Sequence, residues 1–286
     1  MREQTPPLPA DYNLDMIVEP LTPVIGAEVH EIDLARLDDG KFAQVESALL
    51  DHQVLFFRDQ ELDLDQHKSL GERFGPLHIH PSAPPGAPGH PEALRVHADG
   101  NTKRTAGDKW HSDVSCEAEP PMLSILRLHT LPHGGGGDTL FSSMYAAYEA
   151  LSGAMQTYLA DLTAIHDGGP NYRDRNRRVG FDDRDRVYPR AEHPVVRTHP
   201  RTGRKGIFVN SVFTTELCGV PKDEGDAVLA FLYAHIARPQ FQCRFRWREN
   251  SVAMWDNRCV QHLAMWDYYP KTRSGMRITV KGDRPF

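Results

Sequence analysis

The sequence predicts a mainly β fold, a sandwich or jelly roll with covering helices. Two C-terminal stretches carry the prediction. Phe241, Cys243, Phe245 and Trp247 alternate with Gln242, Arg244, Arg246 and Arg248, and Met276, Ile278 and Val280 alternate with Arg277, Thr279 and Lys281. Alternation with a period of two marks a strand with two unlike faces. The third observation is that segments with helical spacing flank such strand runs instead of replacing them.

Taken in chain order, Phe42, Val45, Ala48 and Leu49 recur at helical spacing, and the run Val54 to Phe57 (VLFF) reads as a buried strand. Pro81 to Pro91 (PSAPPGAPGHP) is too rich in Pro and Gly for regular structure and is expected to be a long surface loop, either a lid or a connector. Asp167 to Pro189, rich in Arg, Asp and Gly, is likewise expected outside the core. Pro221 opens a helical pattern through Val228, Phe231, Leu232 and Ile236, because Pro is well tolerated in a first turn. Val252 to Trp255 reads as a core strand ending in a polar bend, Asp256 to Arg258.

The 286 residues, 40% hydrophobic, can bury a sizeable core without disulfides, and one domain over residues 1–286 is expected, with loop or lid insertions at 81–109 and 167–189. A formal charge of −6 gives no reason to expect nucleic acid or an anionic membrane as partner. Four scattered cysteines (Cys116, Cys218, Cys243, Cys259) form no CxxC pair, which argues against a disulfide framework and a thiolate metal site. The N-terminus lacks a signal-peptide pattern and no run of eighteen apolar residues occurs, so a cytoplasmic protein is expected.

His111 and Asp113 are the first chemical signal. On an extended segment residues i and i+2 face the same way, so an imidazole and a carboxylate can reach one ion. A lone HxD is weak, since His90/Glu92 and His97/Asp99 share it. His262, just after the core strand and its bend, is the best third ligand. Two His and one carboxylate on one face leave three positions open, the arrangement associated with ferrous oxygenases that hold a bidentate cosubstrate and O2 together. A zinc hydrolase with a bound water, or a non-catalytic jelly-roll binding protein, are the alternatives that the three residues alone leave open.

Arg273 and Arg277 share parity and point away from the face carrying Met276, Ile278 and Val280. Such arginines are either solvated or turned inward to meet anions, carboxylate or sulfonate being the natural partners of the guanidinium fork. The run Gly134 to Thr139 (GGGGDT) lacks the Lys-Ser/Thr of a nucleotide P-loop, which excludes nucleotide binding there; it reads as a turn into a strand or loop, with the Thr139 hydroxyl available to a carboxylate.

Together these pieces resemble the taurine dioxygenase (TauD/TfdA) family of Fe(II)/2-oxoglutarate-dependent oxygenases, which also contains alkylsulfatases and aryloxyalkanoate dioxygenases. WHSD (110–113), GGDT (136–139), HPVVRTHP (193–200), MWDNRCVQH (254–262), the Arg273/Arg277 pair and GDRPF (282–286) carry the resemblance, which runs from about Ile17 onward. It implies a double-stranded β-helix (a cupin-like jelly roll) with Fe(II) on His111, Asp113 and His262, and with 2-oxoglutarate and O2 as cosubstrates. It implies that Thr139 and Arg273 hold the distal carboxylate of 2-oxoglutarate. His80, Val114, Tyr172 and Arg277 would bind a small anionic organic substrate, an alkylsulfonate, sulfate ester or aryloxyalkanoate, and a homodimer or tetramer is implied. Where taurine enzymes place an acid and an amide to read the amine, this chain offers Ala106 and Gly107, and Ala83 replaces a pocket tyrosine. The expectation is therefore an anionic substrate without taurine's amine, with a taurine dioxygenase proper as the alternative.

Overall fold

The computed structural model describes residues 16–81, 88–102, 105, 107–178 and 180–286. Ala83 and Ala106 lie outside the described residues.

The strands in chain order are β1 (Ile17–Pro20), β2 (Ala27–His30), β3 (Val54–Phe57), β4 (Ala93–Ala98), β5 (Leu123–Thr130), β6 (Thr139–Ser143), β7 (Thr163–Asp167), β8 (Arg190–Pro194), β9 (Val196–Thr198), β10 (Lys205–Ile207), β11 (Thr214–Leu217), β12 (Gln242–Phe245), β13 (Ser251–Asp256), β14 (Val260–Ala264) and β15 (Arg273–Val280). The α-helices are α1 (Asp39–His52), α2 (Leu64–Phe74), α3 (Met144–Glu149), α4 (Gly153–Leu159), α5 (Gly169–Arg178) and α6 (Lys222–Ile236). Among the described residues no helix is long and apolar enough to cross a membrane.

A seven-stranded sheet, β1-β2-β3-β13-β5-β15-β4, forms one layer and a three-stranded sheet, β12-β6-β14, faces it. All pairs in the large sheet are antiparallel except β2 with β3. Its central strands are buried on both faces, and the period of two sorts their side chains. Leu55, Phe57, Leu123, Ile125, Val252, Met254 and Val280 form an outer core with Val45, Ala48 and Leu49 of α1. Their sequence neighbours Val54, Phe56, Leu126, Leu128, Ala253 and Trp255 pack inward against Phe141, Cys243, Phe245 and Val260 of the small sheet. Phe56 and Phe245 stack across this gap with ring centroids 4.0 Å apart. Mainly β architecture with covering helices is thus observed, in the jelly-roll arrangement expected.

Parity also decides the direction of the C-terminal arginines. Val280 faces the outer core, so Arg273 and Arg277, at odd positions, face inward, and both are buried. Gly275 lies between them at a register irregularity of the β15–β5 pair, where a Cβ would sit 2.1 Å from Arg127 O. Only Gly allows the two backbones to approach this closely.

Several expectations differ from the structure. The segment expected as loop between 81 and 109 contains β4, an edge strand paired with β15. Its residues, ALRVHA, do alternate, with Leu94 and Val96 set against Arg95 and His97, but over so short a stretch beside the Pro- and Gly-rich run that the pattern merges with the loop. Residues 167–189, expected irregular and outside the core, contain α5. Its first turn holds Pro170, and one face buries Tyr172 and Asn176 while charged residues cover the rest. Phe231, placed in the apolar pattern of α6, is 39% exposed, and Leu229 takes the buried position instead.

Candidate functional site

Backbone pairing brings His111 and His262 together. An isolated antiparallel bridge joins them, with His111 N–H donating to His262 O at 3.2 Å and His262 N–H to His111 O at 2.9 Å. Paired residues in an antiparallel bridge project to the same face, and the two ring centroids are 4.2 Å apart. Asp113 follows on a turn, not on the extended segment that the sequence predicted. Val114 adopts φ +48°, a left-handed conformation that a β-branched residue rarely takes. This twist ends the extended segment just beyond the carboxylate. One ligand atom each from His111, Asp113 and His262 lies within 4.8 Å of the others, and all three residues are buried.

Protonation states follow from the surroundings. His111 Nδ1 is 2.8 Å from Lys109 O, which only accepts, so Nδ1 carries the proton and Nε2 keeps its lone pair, 3.7 Å from Asp113 Oδ1. Burial pushes the pKa of both His111 and His262 down, keeping them neutral. Burial works the other way on Asp113, but Arg277, then His262, His111 and the Ser124 hydroxyl outweigh it and hold the carboxyl well below the usual range. Arg277 Nη1 donates to Asp113 Oδ1 and Ser124 Oγ to Oδ2, each at 2.6 Å.

Two neutral imidazoles and an ionised carboxylate are the protonation states that a divalent ion requires. His262 Nδ1 and Arg277 Nε are buried without a hydrogen-bond partner among the described residues. Orphaned buried polar atoms cost about 1–3 kcal/mol each, and two of them belong to side chains of this site. The donor set therefore fits a first-row divalent metal such as iron, with open positions beside it.

A second group of polar side chains lies at the starts of β6 and β15. Arg273 Nε donates to Gly137 O at 3.0 Å, and Nη2 lies 3.4 Å from Thr139 Oγ1. Gly137, at φ +75°, must be Gly here, since a Cβ would stand 2.8 Å from Arg273 Cδ. The GGGGDT run is thus a turn into β6, as expected. Trp247, read from the sequence as a core strand residue, lies beyond β12; its indole donates to Thr139 Oγ1 at 3.0 Å and its ring lies 5.6 Å from the Arg273 guanidinium. Among the described residues no carboxylate pairs with Arg273, although it is 4% exposed.

On the opposite side, His80 meets the Tyr172 ring edge-on at 5.7 Å. Burial, then Arg277, keep the His80 pKa well below its ordinary value. Val114, Cys116, Tyr172, Tyr188 and Phe213 form an apolar wall. Arg175, one helical turn beyond Tyr172 on α5, also acts electrostatically on His80 and Arg277. Sequence reasoning missed it because the segment had no visible helical period. It also missed Ser124, whose only signal was a lone hydroxyl in the apolar run LSILRL, and Asn257, inside the MWDNRCVQH stretch.

His199, Asp256 and Cys259 form another buried cluster of potential ligands. His199 Nδ1 accepts from Arg201 N and Thr202 N, so Nε2 carries the proton and donates to Asp256 Oδ2 at 3.0 Å. Arg258 holds both oxygens of that carboxylate. The imidazole and carboxylate are thus engaged within the protein and burial holds Cys259 as a thiol, so the HPVVRTHP stretch serves structure: Arg197 likewise reaches Asp283 of GDRPF at 2.8 Å.

Residues 17–279 match the model of the family described as taurine catabolism dioxygenase TauD, TfdA family. The chain belongs to this family. As a TauD/TfdA member it is a 2-oxoglutarate-dependent dioxygenase, an oxidoreductase with Fe(II) as cofactor and 2-oxoglutarate and O2 as cosubstrates. Among its TauD/TfdA relatives, an alpha-ketoglutarate-dependent sulfonate dioxygenase of Saccharomyces cerevisiae is 34% identical over 291 residues, covering 94% of this chain and 67% of the relative. An alkylsulfatase of Acinetobacter baylyi is 33% identical over 273 residues, covering 92% and 84% respectively. The crystal structure of a taurine dioxygenase from Burkholderia xenovorans superposes with a TM-score of 0.80 at 36% identity, covering 95% of this chain and 92% of that one.

Proposed function

We propose that this dioxygenase hydroxylates a small anionic organic substrate, an alkylsulfonate, sulfate ester or aryloxyalkanoate, at an iron held by His111, Asp113 and His262. One observation carries the reading: two neutral imidazoles and one ionised carboxylate converge beside two buried, inward-facing arginines of a single strand. Bound there, ferrous iron couples O2 reduction and the decarboxylation of 2-oxoglutarate, to succinate and CO2, to hydroxylation of a substrate C–H.

The protein's own groups bind and aim. Arg273 and Thr139 take the distal carboxylate of 2-oxoglutarate, a charge-assisted contact in a buried pocket. Arg277, His80, Tyr172 and Val114 take the substrate, the guanidinium meeting the anion and the aromatic and apolar side chains meeting its carbon body. Held by its anionic end, the substrate presents the carbon next to sulfur or oxygen. Hydroxylation of that carbon gives an adduct that collapses to a carbonyl compound and expels sulfite, sulfate or a phenol.

At Gly107 a side chain would start 3.4 Å from His111 Cε1, so this position borders the metal site and offers no group to an ammonium. A site without partners for a buried amine discriminates against the ligand that carries it. The competing reading, a taurine dioxygenase proper, is favoured by the solved relative of that name. A panel of taurine, alkylsulfonates, alkyl sulfates and aryloxyacetates, assayed for succinate and for released sulfite, sulfate or phenol, decides between them. We expect an amine-free anion to give the highest kcat/KM; taurine in first place would overturn the substrate reading. Light scattering on the purified protein measures the dimer or tetramer that the family resemblance implies.

A further inference from the structure

We infer that Asn257 and Ser124 are positioning residues that lock Asp113 into one-oxygen coordination of the iron, an inference that rests on the metal assignment above. Asp113 needs such support. Its segment belongs to no ladder beyond the single His111–His262 bridge, and its turn is closed by Glu117 N–H donating to Val114 O at 3.1 Å. Asn257 supplies the missing anchorage. Its backbone O accepts from Ser112 Oγ at 2.7 Å, its Oδ1 accepts from Asp113 N at 3.3 Å, and its own N–H donates to Met122 O at 2.8 Å, beside the start of β5.

The side chains form a relay with only one possible polarity. Trp255 Nε1 lies 3.0 Å from the Asn257 side chain, and an indole N–H can only donate. That contact and the Asp113 N–H fix the facing amide atom as oxygen, so the amide NH2 must point to Ser124 Oγ, at 2.9 Å. With a lone pair taken by Asn257, Ser124 spends its one proton on Asp113 Oδ2 at 2.6 Å. All four residues are buried, so water does not compete. The relay thus occupies Oδ2 with a neutral donor, while Oδ1, which accepts from Arg277 Nη1 at 2.6 Å, keeps its second lone pair and lies 3.7 Å from His111 Nε2. A carboxylate held in this way offers the metal one oxygen and leaves three positions free for cosubstrate and O2.

The test uses Co(II) as the probe on purified full-length protein, with calorimetry for affinity, visible absorption for geometry and thermal unfolding for stability. Asn257→Asp is nearly isosteric but cannot donate to Ser124, and Ser124→Ala removes the donor to Oδ2. We expect each to bind Co(II) about 10–100-fold more weakly, the range typical of lost outer-shell partners, and to shift the Co(II) absorption as Asp113 gains freedom to offer both oxygens. The double variant should be no worse than the weaker single one, because the two residues act as one relay. Co(II) affinities and spectra of both variants matching the wild type would overturn the inference, even with lowered melting temperatures, since a purely structural role moves stability alone. His262→Ala is the separate control: binding unchanged there would remove the metal assignment and this inference with it, whereas binding lost there and kept in the relay variants removes the relay alone.

Discussion

Replacing Arg273 by Met tests the cosubstrate pocket most sharply. The side chain keeps an unbranched apolar stem but loses the charge, the donors and the guanidinium that lies 5.6 Å from the Trp247 ring. Arg273 is 4% exposed and, among the described residues, its hydrogen bonds go to Gly137 O and Thr139 Oγ1, so an incoming carboxylate finds a desolvated cation and, after substitution, none. Leaving one member of a buried charged pair without its partner costs about 2–5 kcal/mol. At about 1.4 kcal/mol per tenfold, this is a loss of roughly 30- to 4,000-fold in affinity for 2-oxoglutarate. The assay is succinate formation against 2-oxoglutarate concentration, with competition by pyruvate alongside. Pyruvate keeps the keto acid end and lacks the distal carboxylate, so its weak competition should be the same in both proteins. Arg273→Lys, keeping charge without the fork, should fall between. A change of less than threefold for 2-oxoglutarate, or an equal loss for pyruvate, would refute the placement of the distal carboxylate at Arg273.

Two further outcomes test the frame around the site. Gly275→Ala should destabilise by several kcal/mol or prevent folding, since its Cβ would stand 2.1 Å from Arg127 O in the middle of the large sheet; thermal unfolding measures it, and a melting temperature within two degrees of wild type would contradict the close approach. His67, buried with Nε2 donating to Ile125 O at 3.1 Å, has its pKa pushed down by burial to about 4. With the folded value below the unfolded 6.5, its contribution is complete above pH 6.5 and is lost as pH falls toward 4, about 2–3 kcal/mol by pH 4.5. Urea midpoints at pH 7 and 4.5 should therefore fall less in His67→Gln, and equal slopes would count against the buried neutral imidazole.

Legibility in the sequence followed physical signal strength. β12 and β15 were readable because each alternates against a buried core, β13 because it is a short continuous apolar run, and the parity of β15 alone foretold that Arg273 and Arg277 share a face. That both point inward was not decidable from the strand, because a solvated face has the same pattern; the facing sheet, visible only in the fold, makes the difference. α5 was missed because a short, charged segment carries little periodicity, and with it went Arg175; β4 does alternate, but briefly and beside the Pro- and Gly-rich run that masked it. The relay behind Asp113 could not be read at all. Hydrogen bonds among Trp255, Asn257 and Ser124 depend on three segments meeting, and nothing in the local chemistry of a Ser or an Asn announces such a meeting. The triad itself was named from an HxD pair and a distant His, yet its geometry arises from a single backbone bridge and a left-handed valine that no spacing rule encodes.

The most direct test of the metal assignment is anaerobic titration of the protein with Fe(II) in the presence of 2-oxoglutarate, followed by visible absorption. A charge-transfer band should grow to one iron per chain and be absent in folded His111→Ala, Asp113→Ala and His262→Ala variants. A band that persists undiminished in those variants, or never forms in the wild type, would contradict the account.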